Sequence, residues 1–283
     1  MRLPDTKFIV FNAAAALVGL AALVAAAQYI LNPAVIASCT ERYHSLTGFA
    51  LERTGVSLTA ADLQASLGGR DIGVMENLTI GPVKDAPAPL AMAVALRQAN
   101  SPQGSTEPKG GATFPWEPRV LQGKTSACLS YQVLFPTGFD FHRGGALPGI
   151  GGAEAGEQGD KFLARLAWRP KAIGGVTLRV TENGTTRAVP AERQGFALPQ
   201  GKWVKLEQEV VLNTPTKSDG ILRVWVDGTL AIERTDMAYR AKPDVAISSV
   251  SVDAFYGSGP DDVQFIPQKD TKVWLTPFEV RWQ

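Results

Sequence analysis

The chain has 283 residues, 45% of them apolar and 19% charged, with 28 basic against 27 acidic side chains and a formal charge of +1. That composition supports a folded core and excludes a disordered chain, and the charge balance excludes a global basic field for nucleic acid, so any polyanion has to be met by a local cluster. Two His and two Cys nearly exclude a zinc site built from several imidazoles and thiolates.

In chain order, residues 8–31 form an Ala/Leu/Val-rich run broken only by Asn12, Gly19 and Gln28 and preceded by Arg2 and Lys7. The run is apolar on every side and long enough for a helix to cross a bilayer, so residues 1–31 are expected to be a hydrophobic signal or anchor helix. Three outcomes stay open. An uncleaved anchor holds the protein on the membrane. Cleavage after Ala27 would use the small residues Ala25 and Ala27. Ile36-Ala37-Ser38-Cys39 is similar to a bacterial lipobox, which would leave Cys39 lipidated. Each outcome places the remainder outside the cytoplasm, membrane-anchored or secreted or periplasmic, where Cys39 and Cys128 can form a disulfide unless Cys39 carries lipid.

Residues 32–69 read as a spacer with one short helix, started by Thr59-Ala60-Ala61-Asp62, carrying Leu63 and Leu67, and ended by Gly68-Gly69. From about Asp71 short apolar or alternating runs are separated by Gly, Pro, Asn and Asp, the pattern of strands and turns. Candidate strands are 74–80, 90–97, 128–135, 161–169, 176–182, 203–212, 221–226, 229–234, 246–255 and 273–282, with 98–118 a long surface loop. They predict an all-β fold over 70–283, an antiparallel β-jelly roll sandwich. Asp227-Gly228 marks a hairpin. Asn77-Leu78-Thr79 and Asn183-Gly184-Thr185 are glycosylation acceptors only in a eukaryotic secretory route, and the second reads more simply as an Asn-Gly turn.

Two stretches stand out. Residues 139–152 hold five glycines, Pro148 and His142, without the Gly-Lys-Ser/Thr of a phosphate loop or a strand-to-helix context. They read as a loop crossing between sheets, or as backbone that must approach something closely. In 161–169, alternation sends Phe162, Ala164, Leu166 and Trp168 one way and Arg165 and Arg169 the other, the two arginines about 13 Å apart at roughly 3.3 Å per residue. Arg179 in 176–182 and Arg223 and Trp225 in 221–226 occupy the same kind of polar face. If these strands share a sheet, that face carries Arg165, Arg169, Arg179, Arg223 and Trp225. Guanidinium forks pair with carboxylates and indole faces stack on sugar rings, so such a face suits an acidic polysaccharide. A solvated face with unconnected arginines is the competing reading.

The run Gly144-Gly145-Ala146-Leu147-Pro148-Gly149-Ile150-Gly151-Gly152, followed by Ala164-Arg165-Leu166-Ala167-Trp168-Arg169, resembles polysaccharide lyase family 14, the alginate and glucuronan lyases. The similarity continues through Trp203, Val211-Leu212-Asn213-Thr214-Pro215, Asp219-Gly220, Val224-Trp225-Val226-Asp227-Gly228 and Phe255-Tyr256-Gly257 to Phe278-Glu279-Val280, about 70–283 in all. The resemblance implies a jelly roll whose concave groove binds a polyuronate and cleaves it by β-elimination, with no metal, redox or organic cofactor. It also implies a Lys, an Arg and a Tyr-x-Tyr pair on the groove face. Arg165 and Arg169 match; the lysine position is Ala146, and the tyrosine strand reads Val176-Thr177-Leu178-Arg179-Val180. Substitutes are available: His142 as base near neutral pH, Arg143 for the missing cation and Tyr256 as acid. The expected site is therefore His142, Arg165 and Tyr256 for catalysis, with Arg143, Arg169, Arg179, Arg223 and Trp225 for substrate binding. Two rivals remain: a non-catalytic carbohydrate-binding or envelope module that has lost the chemistry, and a glycoside hydrolase with two carboxylates facing across the groove. Asp140, Glu154, Glu157 and Asp160 are available for the second.

Overall fold

The computed structural model describes residues 18–20, 23, 36–97, 110–141, 144–154, 159–257 and 269–283. Most of the expected signal or anchor helix lies outside them; among the described residues no helix is long and apolar enough to cross a membrane. The chain divides into two units, Met1–Ala37 and Ser38–Gln283.

The strands of the second unit are, in order, β1 (Ser45–Gly48), β2 (Glu52–Arg53), β3 (Val56–Ser57), β4 (Leu78–Gly81), β5 (Ala91–Leu96), β6 (Ala112–Trp116), β7 (Ser126–Leu134), β8 (Gly145–Ala153) and β9 (Lys161–Arg169). Next come β10 (Ile173–Glu182), β11 (Thr185–Val189), β12 (Phe196–Ala197), β13 (Trp203–Val211), β14 (Gly220–Val226), β15 (Thr229–Met237), β16 (Ala246–Tyr256), β17 (Thr271–Leu275) and β18 (Glu279–Trp282). Sheet I has the order β15-β14-β13-β7-β17-β5-β4, with β18 also on β7 and β1 on β18; sheet II has the order β11-β10-β9-β8-β16-β6, with β12 on β10. The result is the expected all-β sandwich, with open sheets.

Alternation explains most of it. On β9, Phe162, Ala164, Leu166 and Trp168 are buried while Lys161, Leu163, Arg165 and Arg169 are less so, which turns the first set to the core and the second outward. The sheets meet over a continuous apolar core. Polar contacts also cross it: Gln208 on β13 donates to the Ala164 carbonyl at 2.8 Å and accepts from the Ile150 amide at 3.1 Å. The Tyr131 hydroxyl donates to the Pro148 carbonyl at 3.1 Å. Ile150 and Pro148 lie at or beside the register shift in β8 between Ala146 and Gly149, so sheet I supplies polar partners to irregular backbone in sheet II.

Several expectations change. From Gly145 to Gly152 the glycine-rich stretch is not a loop between sheets but part of β8, an interior strand of sheet II. Gly and Pro disfavour strands, yet here glycine is required by packing: a Cβ at Gly145 would lie 2.1 Å from the Trp168 ring. Residues 74–80 begin as a helical turn, Val74–Asn77, before β4. The expected loop 98–118 contains β6. The run 273–282 breaks at Thr276-Pro277-Phe278 into β17 and β18, since Pro277 has no amide to donate. From Ser38 onward the expected spacer belongs to the sandwich: β1 pairs with β18, and Cys39 is bonded to Cys128 on β7. The helix Ala60–Leu67 forms as read, with Thr59 and Asp62 in a reciprocal capping box, Leu63 and Leu67 buried and Gly68 left-handed at its end. Asp227-Gly228 and Asn183-Gly184 both have positive φ at each residue, as tight primed hairpin turns need. Asn77 is buried and donates to the Gly111 carbonyl.

Candidate functional site

The outer face of sheet II is assembled by register. Arg165 on β9 stands opposite Thr177 on β10 and Gly149 on β8; Leu163 stands opposite Arg179 and Gly151; Ala167 stands opposite Gly175 and Ala146. Arg165 and Arg179 are thus diagonal neighbours, about 7–8 Å apart at their backbones. On the other flank, β16 contributes Ser249, Ser251, Asp253 and Phe255.

Arg165 leans towards β16. Its guanidinium lies 3.5 Å from an Asp253 oxygen, with the Arg165 side chain 11% and that of Asp253 1% exposed, and 5.2 Å from the Phe255 ring centroid. Asp253 also accepts from the Thr113 hydroxyl at 2.5 Å and the Ser251 hydroxyl at 2.9 Å. Burial pushes the Asp253 carboxyl above its ordinary value, while Arg165 and the two hydroxyls pull it back only in part.

Arg169 is ion-paired with Glu192, which also accepts from the Val176 amide. Arg179 is exposed and has no ion pair among the described residues. Two clefts flank it. One, of about 530 Å³, is lined by Gly151, Lys161, Leu163, Arg179, Ser249 and Ser251 among others. The second, of about 430 Å³, includes Arg169, Thr177, Arg179, Ala188 and Glu192. The Thr177 hydroxyl in that cleft is buried without a hydrogen-bond partner, an unmet polar group of the kind a ligand can satisfy.

Arg223 and Trp225 do not join this face. They lie on β14 in sheet I, and the expectation of one shared sheet is corrected: alternation gives a strand's faces but not its sheet. Arg223 is paired with Glu209 at 3.0 Å and Glu233 at 2.8 Å, while Trp225 is fully buried with the Arg42 guanidinium 5.7 Å from its ring. The acid role expected of Tyr256 is corrected as well. Its register partner is Gly145, which faces the core; its ring stacks on Phe139 at 5.8 Å and meets Trp168 edge-on at 5.5 Å. Its hydroxyl donates to the Asp140 carbonyl at 2.7 Å, and burial raises its pKa well above that of an ordinary tyrosine.

His142 and Arg143 lie outside the described residues, as does Glu157. Glu154 and Asp160 both hold Lys242, at 3.4 and 2.9 Å, so they do not face each other across a groove as a hydrolase would require. Among the described residues no three His, Cys, Asp or Glu side chains gather as metal ligands. Sequence reasoning missed Asp253 and Glu192. Asp253 was within reach, because alternation with Ser249 and Ser251 puts it on the polar face of its strand; Glu192 lies outside any periodic run and gave no signal.

Known proteins share this fold. The family model for polysaccharide lyase 14 matches residues 89–278. The marine alginate lyase of Aplysia kurodai superposes with a TM-score of 0.61 at 20% identity, covering 85% of this chain and 99% of that one. An alginate lyase from Chlorella virus gives 0.57 at 18%, covering 85% and 100%. The endo-β-1,4-glucuronan lyase of the fungus Trichoderma reesei gives 0.53 at 12%, covering 73% and 87%. No curated protein sequence matches the chain.

Proposed function

The chain belongs to the polysaccharide lyase 14 family, whose model spans residues 89–278, and on that premise we propose that the outer face of sheet II binds a uronate-containing polysaccharide and cleaves it by β-elimination outside the cytoplasm. The observation that carries this reading is the position of Arg165: central on that face, braced by Asp253, and diagonal to Arg179 between two clefts. The lyases that superpose on the chain act on alginate and glucuronan, both polymers of uronic acids.

β-Elimination asks for three things. A cation must take the uronate carboxylate so that the C5 proton becomes acidic, a base must remove that proton, and an acid must protonate the departing oxygen. Arg165 fits the first task, as a guanidinium offers a carboxylate a planar fork, and Arg179 is assigned the carboxylate of a neighbouring sugar. His142, three residues before β8, is assigned the second; an imidazole exchanges protons near neutrality. The buried disulfide between Cys39 and Cys128 supports an oxidising compartment, and it occupies the sulfur that lipidation of Cys39 would need.

A second reading is favoured by a specific observation. Ala146 stands where the resemblance implies lysine, and the stretch Val176-Thr177-Leu178-Arg179-Val180, where it implies a Tyr-x-Tyr pair, holds no tyrosine, so the face also suits a module that binds the polymer without cutting it. Incubation with a panel of polyuronates separates the two by the absorbance of the unsaturated product. The lyase reading predicts product from the intact protein and a loss of about 100-fold or more in Arg165→Ala, with a comparable loss in His142→Ala. Binding without product on any polymer would overturn it in favour of the second reading; neither binding nor product would reject both.

A further inference from the structure

Asp253 is nearly inaccessible, yet it lies on the outward face of its strand. Between it and Arg165 runs β8, which lies tight against β9 at Gly149, where a Cβ would lie 2.2 Å from the Arg165 Cα and 2.8 Å from its Cβ. Glycine there lets the two strands approach this closely. Among the described residues, the charged or titratable groups facing Asp253 are Arg165 from β9 and Tyr131 from β7, and the hydroxyls of Thr113 on β6 and Ser251 on β16 bond to it directly.

We propose that Asp253 is the positioning residue of the groove: it draws the Arg165 guanidinium across β8 and takes up one proton from solvent when a sugar carboxylate docks on that guanidinium. The inference rests on the reading of this face as a polyuronate groove. The charge balance is simple. Guanidinium and carboxylate are neutral together; an arriving uronate adds one negative charge; one proton, forming an O–H bond on Asp253, restores neutrality. In a buried setting the uncompensated charge is costly, and two carboxylates sharing one cation do not both stay ionised readily. Burial already favours the protonated acid, with Arg165 as the main opposing pull, and a ligand that competes for Arg165 weakens that pull. Affinity for a polyuronate therefore rises as pH falls towards the carboxylate range, by up to about tenfold per pH unit for one linked proton.

The test is titration calorimetry of the intact protein with alginate oligosaccharides, in pairs of buffers of different ionisation enthalpy, above the pH at which the sugar's own carboxylates titrate. The wild-type protein is expected to take up a substantial fraction of one proton per site. Asp253→Asn, checked for folding by its thermal transition, is expected to take up none and to bind with little dependence on pH. The buffer comparison needs only the wild-type chain, so it decides even if the variant fails to fold. Wild-type binding without proton uptake, or an Asp253→Asn variant with an unchanged pH slope, would overturn the inference alone. A wild-type protein that binds no polyuronate at any pH would overturn the functional reading and this inference together.

Discussion

The two outer faces of the sandwich each set arginines against buried carboxylates, and they differ in how far each carboxylate is compensated and in whether an arginine is left exposed beside it. On sheet I, Glu207 and Glu209 are 0% and 1% exposed beneath the segment after Ser38. Thr40 donates to Glu207 at 2.6 Å, Arg42 to Glu209 at 2.8 Å and Arg223 to Glu209 at 3.0 Å, while Lys205 pairs with Glu207. Burial alone would raise the Glu209 carboxyl, but Arg42, Tyr43 and Arg223 together hold it below the ordinary range. On sheet II, Asp253 has one guanidinium and stays above that range, and Arg179 remains exposed. Sheet I's face is a lock in which charge holds chain to chain. Sheet II's face has cationic capacity left for a ligand.

The sharpest way to break this contrast is at the covalent tie of the lock. Cys39 and Cys128 close a loop with a sequence separation of 89, and the loss of chain-entropy restraint predicts a destabilisation of about 4–5 kcal/mol in Cys39→Ser/Cys128→Ser. Denaturant unfolding measures it; polyuronate binding by the folded fraction should be unchanged, and an unaltered midpoint would show that the bond does not hold the face shut. A smaller effect is expected from Arg42→Ala. Glu209 keeps Arg223, and the Arg42 side chain is 32% exposed, so solvent screening limits the loss to about 1–2 kcal/mol at neutral pH. A carboxyl held below its unfolded value contributes stability above that value and loses it as pH falls through the folded one. The gap between wild type and Arg42→Ala should therefore close on acidification, and thermal unfolding at a series of pH values reads it. A gap independent of pH would assign Arg42 a packing role instead.

Much of the second unit was legible because alternation is a local signal. The alternating run 161–169 coincides with β9 end to end, and the Thr59 cap and both Gly-containing hairpin turns follow from local residue chemistry alone. What was not legible depends on contacts distant in sequence. Strand β8 looked like a loop because its glycines answer to Trp168 and Arg165, neighbours that only the folded sheet supplies. Arg223 and Trp225 shared the pattern of Arg165 and Arg179, but sheet membership is decided by pairing order, so the residues of one predicted face fall on two sheets. The disulfide was foreseen as one of two fates for Cys39. That the adjoining segment covers Glu207 and Glu209 had no local sign, since nothing near Thr40 or Arg42 marks a partner on β13.

The central claim is that sheet II, and not sheet I, presents the polysaccharide site. Amide chemical shifts of the isotopically labelled protein, followed during titration with an alginate oligosaccharide, test it directly. Binding at the proposed face predicts shifts at Gly149, Gly151, Leu163, Arg165, Thr177 and Arg179, with the amides of Glu207, Glu209, Arg223 and Trp225 unmoved. Shifts confined to those four sheet I positions would contradict the account.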